Sequence, residues 1–231
     1  AYDIRGKYPE EINENFAYII GKSYGSYLKK FLDKNKCVIG MDNRLSSKSL
    51  KTALKEGLLD SGINVVDYGE ITTPMHYYTR YIENTYGIMI TASHNPKDDN
   101  GFKFSFDKLA NARGEMIEDF KEFTFQGNFL DGNGKCEERT IKDQYLKYLQ
   151  DNIQMNNKSV KVVFDPGNGV TSTIIKDAIK LFPNIEPIYI CDISDGTFPN
   201  HHPDPAIEEN MQMLKEKVLE TKADLGIAFD G

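Results

Sequence analysis

Short apolar runs alternate with helix-period segments along most of the chain, and that alternation restricts the fold more than any other feature. Cys37-Val38-Ile39-Gly40, Ile63-Asn64-Val65-Val66 and Gly87-Ile88-Met89-Ile90 are each bounded by polar residues and read as buried strands. Between them the apolar positions recur at helical spacing. Residues 10–32 carry Phe16, Ile19, Ile20, Tyr24, Tyr27 and Leu28 on one face, residues 47–60 form a second helix, and Thr73-Pro74 opens a third through Tyr81, with proline in the favoured first turn. A strand over residues 102–106 follows, then an irregular Gly- and Asn-containing stretch over 126–135 and a helix over 142–153. The polar stretch 154–159 reads as a linker, after which the pattern restarts: strand 160–164, helix 170–181, strand 187–191, helix 206–220, strand 225–229. Strands alternating with helices predict two successive α/β domains with mixed, mostly parallel sheets, spanning 1–155 and 156–231. In such sheets ligands sit beyond the carboxyl ends of the strands, where this chain places its unusual loops.

Composition narrows the partners. Lys and Arg total 28 against 35 Asp and Glu, a net charge of −7, which argues against a nucleic-acid binder while leaving anionic small molecules open to locally concentrated cations. No apolar run approaches the ~20 residues of a membrane helix, and the first residues, AYDIRGKYPE, hold no hydrophobic stretch of the signal-peptide kind. The three cysteines, Cys37, Cys136 and Cys191, are far apart and form neither a disulfide framework nor a zinc spacing. Cys37 and Cys191 lie in apolar runs and read as core thiols, so a reducing, cytoplasmic setting is expected. The absence of an initial Met and the stop within Phe229-Asp230-Gly231 suggest a fragment.

Three loops could carry chemistry. Thr91-Ala92-Ser93-His94-Asn95-Pro96 leaves a buried strand and leads into Gly101-Phe102-Lys103. It reads either as a nucleophile loop or as an ordinary polar turn. A Ser93–His94 hydrolase dyad is disfavoured, because adjacent side chains of an extended segment point to opposite faces. Asp165-Pro166-Gly167-Asn168-Gly169 joins a strand to a helix and could admit an anion at the helix N-terminus, or simply be a glycine-rich connection. Asp230 closes the last strand; a carboxylate there suits Mg²⁺, although Asp-Gly is also a common turn. His201, His202 and Asp204 lie in a proline-stiffened loop that no further Cys or His is expected to join, and read as a rigid loop rather than a zinc site. Ser46 and Ser47 precede a helix and read as caps.

Taken together, Tyr2-Asp3-Ile4-Arg5-Gly6, Asp42-Asn43-Arg44-Leu45-Ser46-Ser47, the 91–96 hexapeptide, Gly101-Phe102-Lys103, Asp165–Gly169, the Phe198–Pro205 loop and Phe229-Asp230-Gly231 occur in an order that resembles the α-D-phosphohexomutase family, most closely its phosphomannomutase/phosphoglucomutase branch. Tyr2–Gly6 and Phe102 favour that branch over the glucosamine one. The motifs run from the first residues to the last and resemble the first two of the family's four domains, the second incomplete.

The resemblance implies an intramolecular phosphotransferase, an isomerase of carbohydrate metabolism, that interconverts hexose 1-phosphate and hexose 6-phosphate of mannose or glucose. By this match Ser93 carries the transferable phosphoryl group, and a hexose 1,6-bisphosphate serves as intermediate and activator. Mg²⁺ would be held by the Ser93 phosphate and by Asp230, the first of three aspartates in the family's metal loop, the other two lying beyond this chain. Lys103 and Arg5 match basic residues near the phosphoryl group, with Lys103 assisting proton transfer. His94 and Asn95 would orient the loop or contact phosphate, and Tyr2 would contact substrate. A phosphoserine carries about −1.5 to −2 charges, so a second phosphate cannot approach without such cations. With metal ligands and two domains missing, these 231 residues are expected not to turn over and, through strand 225–229, to self-associate. The alternative is a stand-alone phosphosugar-binding or regulatory module; a serine hydrolase lacks its Gly-x-Ser-x-Gly elbow.

Overall fold

The computed structural model describes residues 3–107 and 112–231. The chain divides into two compact units, one of Ala1–Ala92 with Asp98–Ile141 and one of Ser93–Lys97 with Lys142–Gly231.

In the first unit, strands β1 (Ile4–Lys7), β2 (Lys36–Met41), β3 (Asn64–Glu70), β4 (Tyr86–Ile90), β5 (Asp99–Phe104) and β6 (Cys136–Glu138) form a sheet in the order β1-β5-β4-β2-β3-β6. The β4-β2-β3-β6 run is parallel, and β5 pairs antiparallel with both β4 and β1. Helix α1 (Glu14–Phe31) starts at Asn13, whose side chain accepts the Phe16 N–H, and carries Glu14 in its first turn and Lys29 and Lys30 in its last. Those charges complement the helix dipole. Helix α2 (Ser47–Asp60) covers the same residues as its predicted segment. Helix α3 (Thr73–Ile82) is capped by the Thr72 hydroxyl, with Pro74 in its first turn. The core joins Leu50, Leu54 and Leu58 to Val65, Ile39, Ile88 and an aromatic set of Tyr24, Phe102, Phe104 and Phe120. Tyr24 is completely buried and donates its hydroxyl to the Ser105 carbonyl at 2.6 Å, which is why a polar ring end is tolerated there.

Helix α4 (Glu115–Gln126) is absent from the sequence-based expectation; it buries Ile117, Phe120 and Phe123 at three-residue spacing. Strand β1 is likewise added, and it explains why β5 begins at polar Asp99 rather than at Phe102. Arg5 and Gly6 pair with Gly101 and Asn100, so backbone pairing rather than side-chain hydrophobicity extends the strand. At Gly101 a Cβ would sit 2.3 Å from the Ile4 carbonyl oxygen, so only glycine allows β1 to come this close.

The second unit holds helix α5 (Lys142–Asn152) and an all-parallel sheet, β8 (Ile185–Tyr189), β7 (Val160–Asp165) and β9 (Leu225–Ala228), with β7 central. The expected helix 170–181 is broken into a 3₁₀ turn, Val170–Thr173, and α6 (Ile175–Lys180), because Ile174 leaves helical geometry at φ −129°. The expected helix 206–220 starts later: a 3₁₀ turn over Glu208–Met211 leads into α7 (Gln212–Thr221), whose Leu214 is buried. A small core of Val162, Phe164 and Ile175 lies against β7. Among the described residues, no helix is long and apolar enough to cross a membrane.

Candidate active site

Strand β4 delivers the chain to Ser93 three residues after its last member, Ile90. Two anchors fix the approach: the Thr91 N–H donates to the Gly101 carbonyl at 3.0 Å, and Arg5 Nη1 donates to the Ala92 carbonyl at 2.8 Å. Ser93 itself has φ +54°, the left-handed region, which disfavours any residue with a Cβ. Its Oγ–H donates to Asp230 Oδ1 at 2.5 Å, and His94 Nδ1 lies 2.9 Å from Asp230 Oδ2. The carboxylate therefore accepts from two consecutive residues of the loop. This is possible because the left-handed turn at Ser93 cancels the alternation that would otherwise send neighbouring side chains to opposite faces. His94 and Asp230 remain nearly half exposed, at 45% and 47%.

Asp230 is held from its own side. The Phe229 N–H donates to the Asp165 carbonyl at 3.0 Å, and the Gly231 N–H to the Pro203 carbonyl at 3.1 Å. The segment 229–231 is thus tied both to the end of β7 and to the 198–205 loop.

Arg5 and Lys103 meet on Asp3. Arg5 Nε and Nη2 donate to Asp3 Oδ2 at 3.0 and 2.9 Å, and Lys103 Nζ donates to the same oxygen at 3.3 Å. Asp3 lies inside a motif that stands out in the sequence, but nothing there gives it a role of its own. The pairing register supplies the missing signal, since β1 runs beside β5 with Ile4 opposite Phe102. Asn95 is half-buried. Tyr2 lies outside the described residues.

One expectation is corrected. The Ser46 side chain does not cap α2. Ser46 Oγ accepts from Asn100 Nδ2 at 2.8 Å, while Ser47 Oγ accepts from the same group at 2.9 Å and donates to Asp42 Oδ1 at 2.5 Å. Both hydroxyls are therefore committed to a buried network with Asp42 and Asn100. Arg44, also in this network, is 2% exposed and donates Nη1 to the Asp99 carbonyl, so it braces the start of β5. Of the two readings left open for the 165–169 loop, the contacts favour the glycine-rich connection. Its residues are buried, the Asn168 and Gly169 N–H groups donate to the Cys191 and Pro166 carbonyls, and a Cβ on Gly169 would lie 3.2 Å from Gly231 Cα.

The Ser93–Asp230 pair suits a hard divalent cation. Its donor atoms are a carboxylate and a hydroxyl oxygen, the kind Mg²⁺ takes. Phosphorylation of Ser93 would remove the O–H that now binds Asp230 and put a phosphate dianion beside a carboxylate, which a cation between them would reconcile.

What the geometry defines is an α/β protein with a strained serine held against an aspartate at the exit of a buried strand. Residues 1–129 match the phosphoglucomutase/phosphomannomutase alpha/beta/alpha domain I, and residues 143–231 match domain II. The chain is 43% identical over 234 residues to phosphomannomutase/phosphoglucomutase of Pseudomonas syringae pv. tomato, covering 100% of this chain and 49% of that protein. It is 39% identical over 243 residues to phosphomannomutase of Salmonella typhimurium, covering 100% and 52%. A crystal structure of a phosphoglucomutase/phosphomannomutase family protein from Burkholderia thailandensis superposes with a TM-score of 0.92 at 34% identity, over 100% of this chain and 52% of that one. The chain belongs to the phosphoglucomutase/phosphomannomutase family and spans about half the length of these curated relatives.

Proposed function

We propose that this chain is the phosphoryl-carrying part of a phosphohexomutase that interconverts the 1- and 6-phosphates of mannose or glucose. Ser93 is the carrier. As the Ser93 Oγ–P bond breaks, phosphorus bonds to a sugar hydroxyl oxygen, giving a hexose 1,6-bisphosphate; the reverse transfer of the other phosphate regenerates phosphoserine. The hydroxyl proton is passed on with the help of Lys103. Arg5 holds Ala92 and with it the start of the loop, and its charge balances phosphate. Asp230 orients Oγ in the dephosphorylated state, His94 holds Asp230 from its second oxygen, and Asn95 and Tyr2 contact substrate. Mg²⁺, held by Asp230 and the Ser93 phosphate, would supply charge neutralisation for the transferring group.

The observation that carries this reading is the 2.5 Å Ser93–Asp230 hydrogen bond at a serine with φ +54°, in a chain covered by both family domains. Left-handed serines are costly, and such strain concentrates at sites of function. The whole protein's setting is cytoplasmic. The chain spans about half the length of the relatives it matches, and turnover is proposed of the whole protein.

In the whole protein Ser93→Ala should remove most mutase turnover measured with bisphosphate present, and phosphopeptide mapping of the unaltered protein should place phosphate on Ser93. Near-normal turnover of the variant, or phosphate on another residue, overturns the assignment.

A further inference from the structure

Away from the Ser93 loop, the ends of β7 and β8 and the 198–205 loop bring three metal-ligating side chains together. Asp165 ends β7, and Cys191 follows β8 by two residues. The two strands are parallel neighbours, with Phe164 opposite Tyr189 and the Ile190 N–H donating to the Phe164 carbonyl, so both side chains emerge at the same sheet edge. His201 closes the group. Its Nε2 lies 3.0 and 3.2 Å from the Asp165 oxygens, and one ligand atom from each of the three residues lies within 4.8 Å of the others. Among the described residues no other three His, Cys, Asp or Glu side chains converge in this way.

The polarity of the cluster asks for a proton or a metal ion at Nε2. His201 Nδ1 is 2.9 Å from the His202 carbonyl, an acceptor, so that nitrogen carries the ring hydrogen. In the neutral ring Nε2 then presents a lone pair to the carboxylate, which is unfavourable unless a proton or a metal ion stands between them. A ring N–H donated to a backbone carbonyl is also how metal-bound histidines are usually oriented. Asp165 is held rigidly beside that ring. Its side chain is fully buried, and Oδ1 accepts the Gly167 N–H at 3.0 Å. Cys191, expected from sequence to be a core thiol, is only partly buried and has φ +48°. A left-handed turn aims the thiol at Asp165 and His201 instead of into the core.

We propose that Asp165, Cys191 and His201 bind one divalent transition-metal ion of the zinc class, with water completing the coordination. Thiolate, imidazole and carboxylate form a borderline-soft set that selects such an ion over Mg²⁺, and three protein ligands leave one position open. Four-coordinate zinc separates its ligands by about 3.3–3.8 Å, so an ion would draw together three atoms that already lie within 4.8 Å of one another. Binding forms the metal–sulfur bond as the Cys191 thiol proton leaves to solvent, together with the His201 proton where the ring is charged. The ion would cross-link β7, β8 and the 198–205 loop, and of these β7 and the loop hold Phe229 and Gly231 on either side of Asp230.

The test is Co²⁺ titration of the chelator-treated 231-residue chain. One equivalent should produce a thiolate-to-cobalt charge-transfer band with intense visible bands of four-coordinate cobalt, bleached by Zn²⁺ and indifferent to excess Mg²⁺. Cys191→Ser should abolish the charge-transfer band, whereas Cys136→Ser, at an exposed cysteine elsewhere, should leave it intact. Because a variant could misfold, the unaltered chain provides a second measurement: Zn²⁺ should slow alkylation of Cys191 at least tenfold by peptide mapping and leave Cys136 unaffected. Absence of the band, its survival in Cys191→Ser, or equal alkylation of Cys191 with and without Zn²⁺ overturns the proposal.

Discussion

At the residue scale, the tension at Ser93 is measurable. A left-handed residue with a Cβ costs about 1–2 kcal/mol, offset in part by the flexibility glycine brings to the unfolded chain. Ser93→Gly and Ser93→Ala both lose the hydrogen bond to Asp230 and differ mainly in that strain. Ser93→Gly should therefore be more stable than Ser93→Ala by about 1 kcal/mol in urea unfolding of the chain. Equal midpoints would mean that the φ of +54° stores no strain. His76 provides a second residue-scale case. It is 1% exposed, neither ring nitrogen has a hydrogen-bond partner, and burial, aided by Arg80, pushes its imidazole down to about 3. Between that value and the ordinary 6.5, the unfolded chain binds a proton that the folded chain refuses, so stability falls as pH drops through this window. The contribution approaches about 1.4 kcal/mol per pH unit. Unfolding free energies at pH 7 and pH 5 should diverge less in His76→Gln than in the parent; identical pH slopes would rule His76 out as the cause.

At the element scale, α1 and α2 pack backbone to backbone. A Cβ on Gly21 would meet the Leu54 carbonyl oxygen at 2.1 Å, and one on Gly57 would meet the Tyr18 carbonyl oxygen at 2.1 Å. Helix propensity alone would make alanine better than glycine at both positions. Sterics reverse that preference, since backbone cannot move aside as a flexible side chain can. Gly57→Ala should destabilise the chain by about 3 kcal/mol, read as a lowered urea midpoint with unchanged slope. A neutral or stabilising effect would show that the helices separate freely. Legibility followed the same division. Helix α2 was readable because Leu50, Leu54 and Leu58 repeat every turn and are all buried. Strand β6 was not, because Cys136-Glu137-Glu138 is exposed and owes its conformation to hydrogen bonding along β3.

For the molecule as a whole, the smaller sheet is the exposed part of the design. Strands β8 and β9 are its two edges, and Leu225 and Ile227 on β9 remain 41% and 37% exposed. An edge strand with accessible apolar side chains invites pairing with another chain. The purified chain should self-associate as its concentration rises, and Ile227→Lys should shift it toward monomer in light scattering, with little change in its circular dichroism. A strictly monomeric parent over the same range would rule out this edge as an adhesive surface.

The amino-acid sequence by itself determined the α/β class, the central strands and the position of the Ser93 loop at a strand exit. Each of these rests on local periodicity: a run such as Gly87-Ile88-Met89-Ile90 has one way to bury its side chains, and the chain must leave it at Thr91. Ser93 and Asp230 were named from ordered motifs, but their contact spans 137 positions in the chain, and no period records it. Only the tertiary structure decided that Asp3 gathers Arg5 and Lys103, that Ser46 and Ser47 serve Asn100 and Asp42 instead of a helix end, and that Cys191 faces His201 rather than the core. The physical reason is common to all three. Polar side chains take whichever partner folding brings within hydrogen-bonding distance, and that choice depends on strand register and loop closure, not on neighbours in sequence.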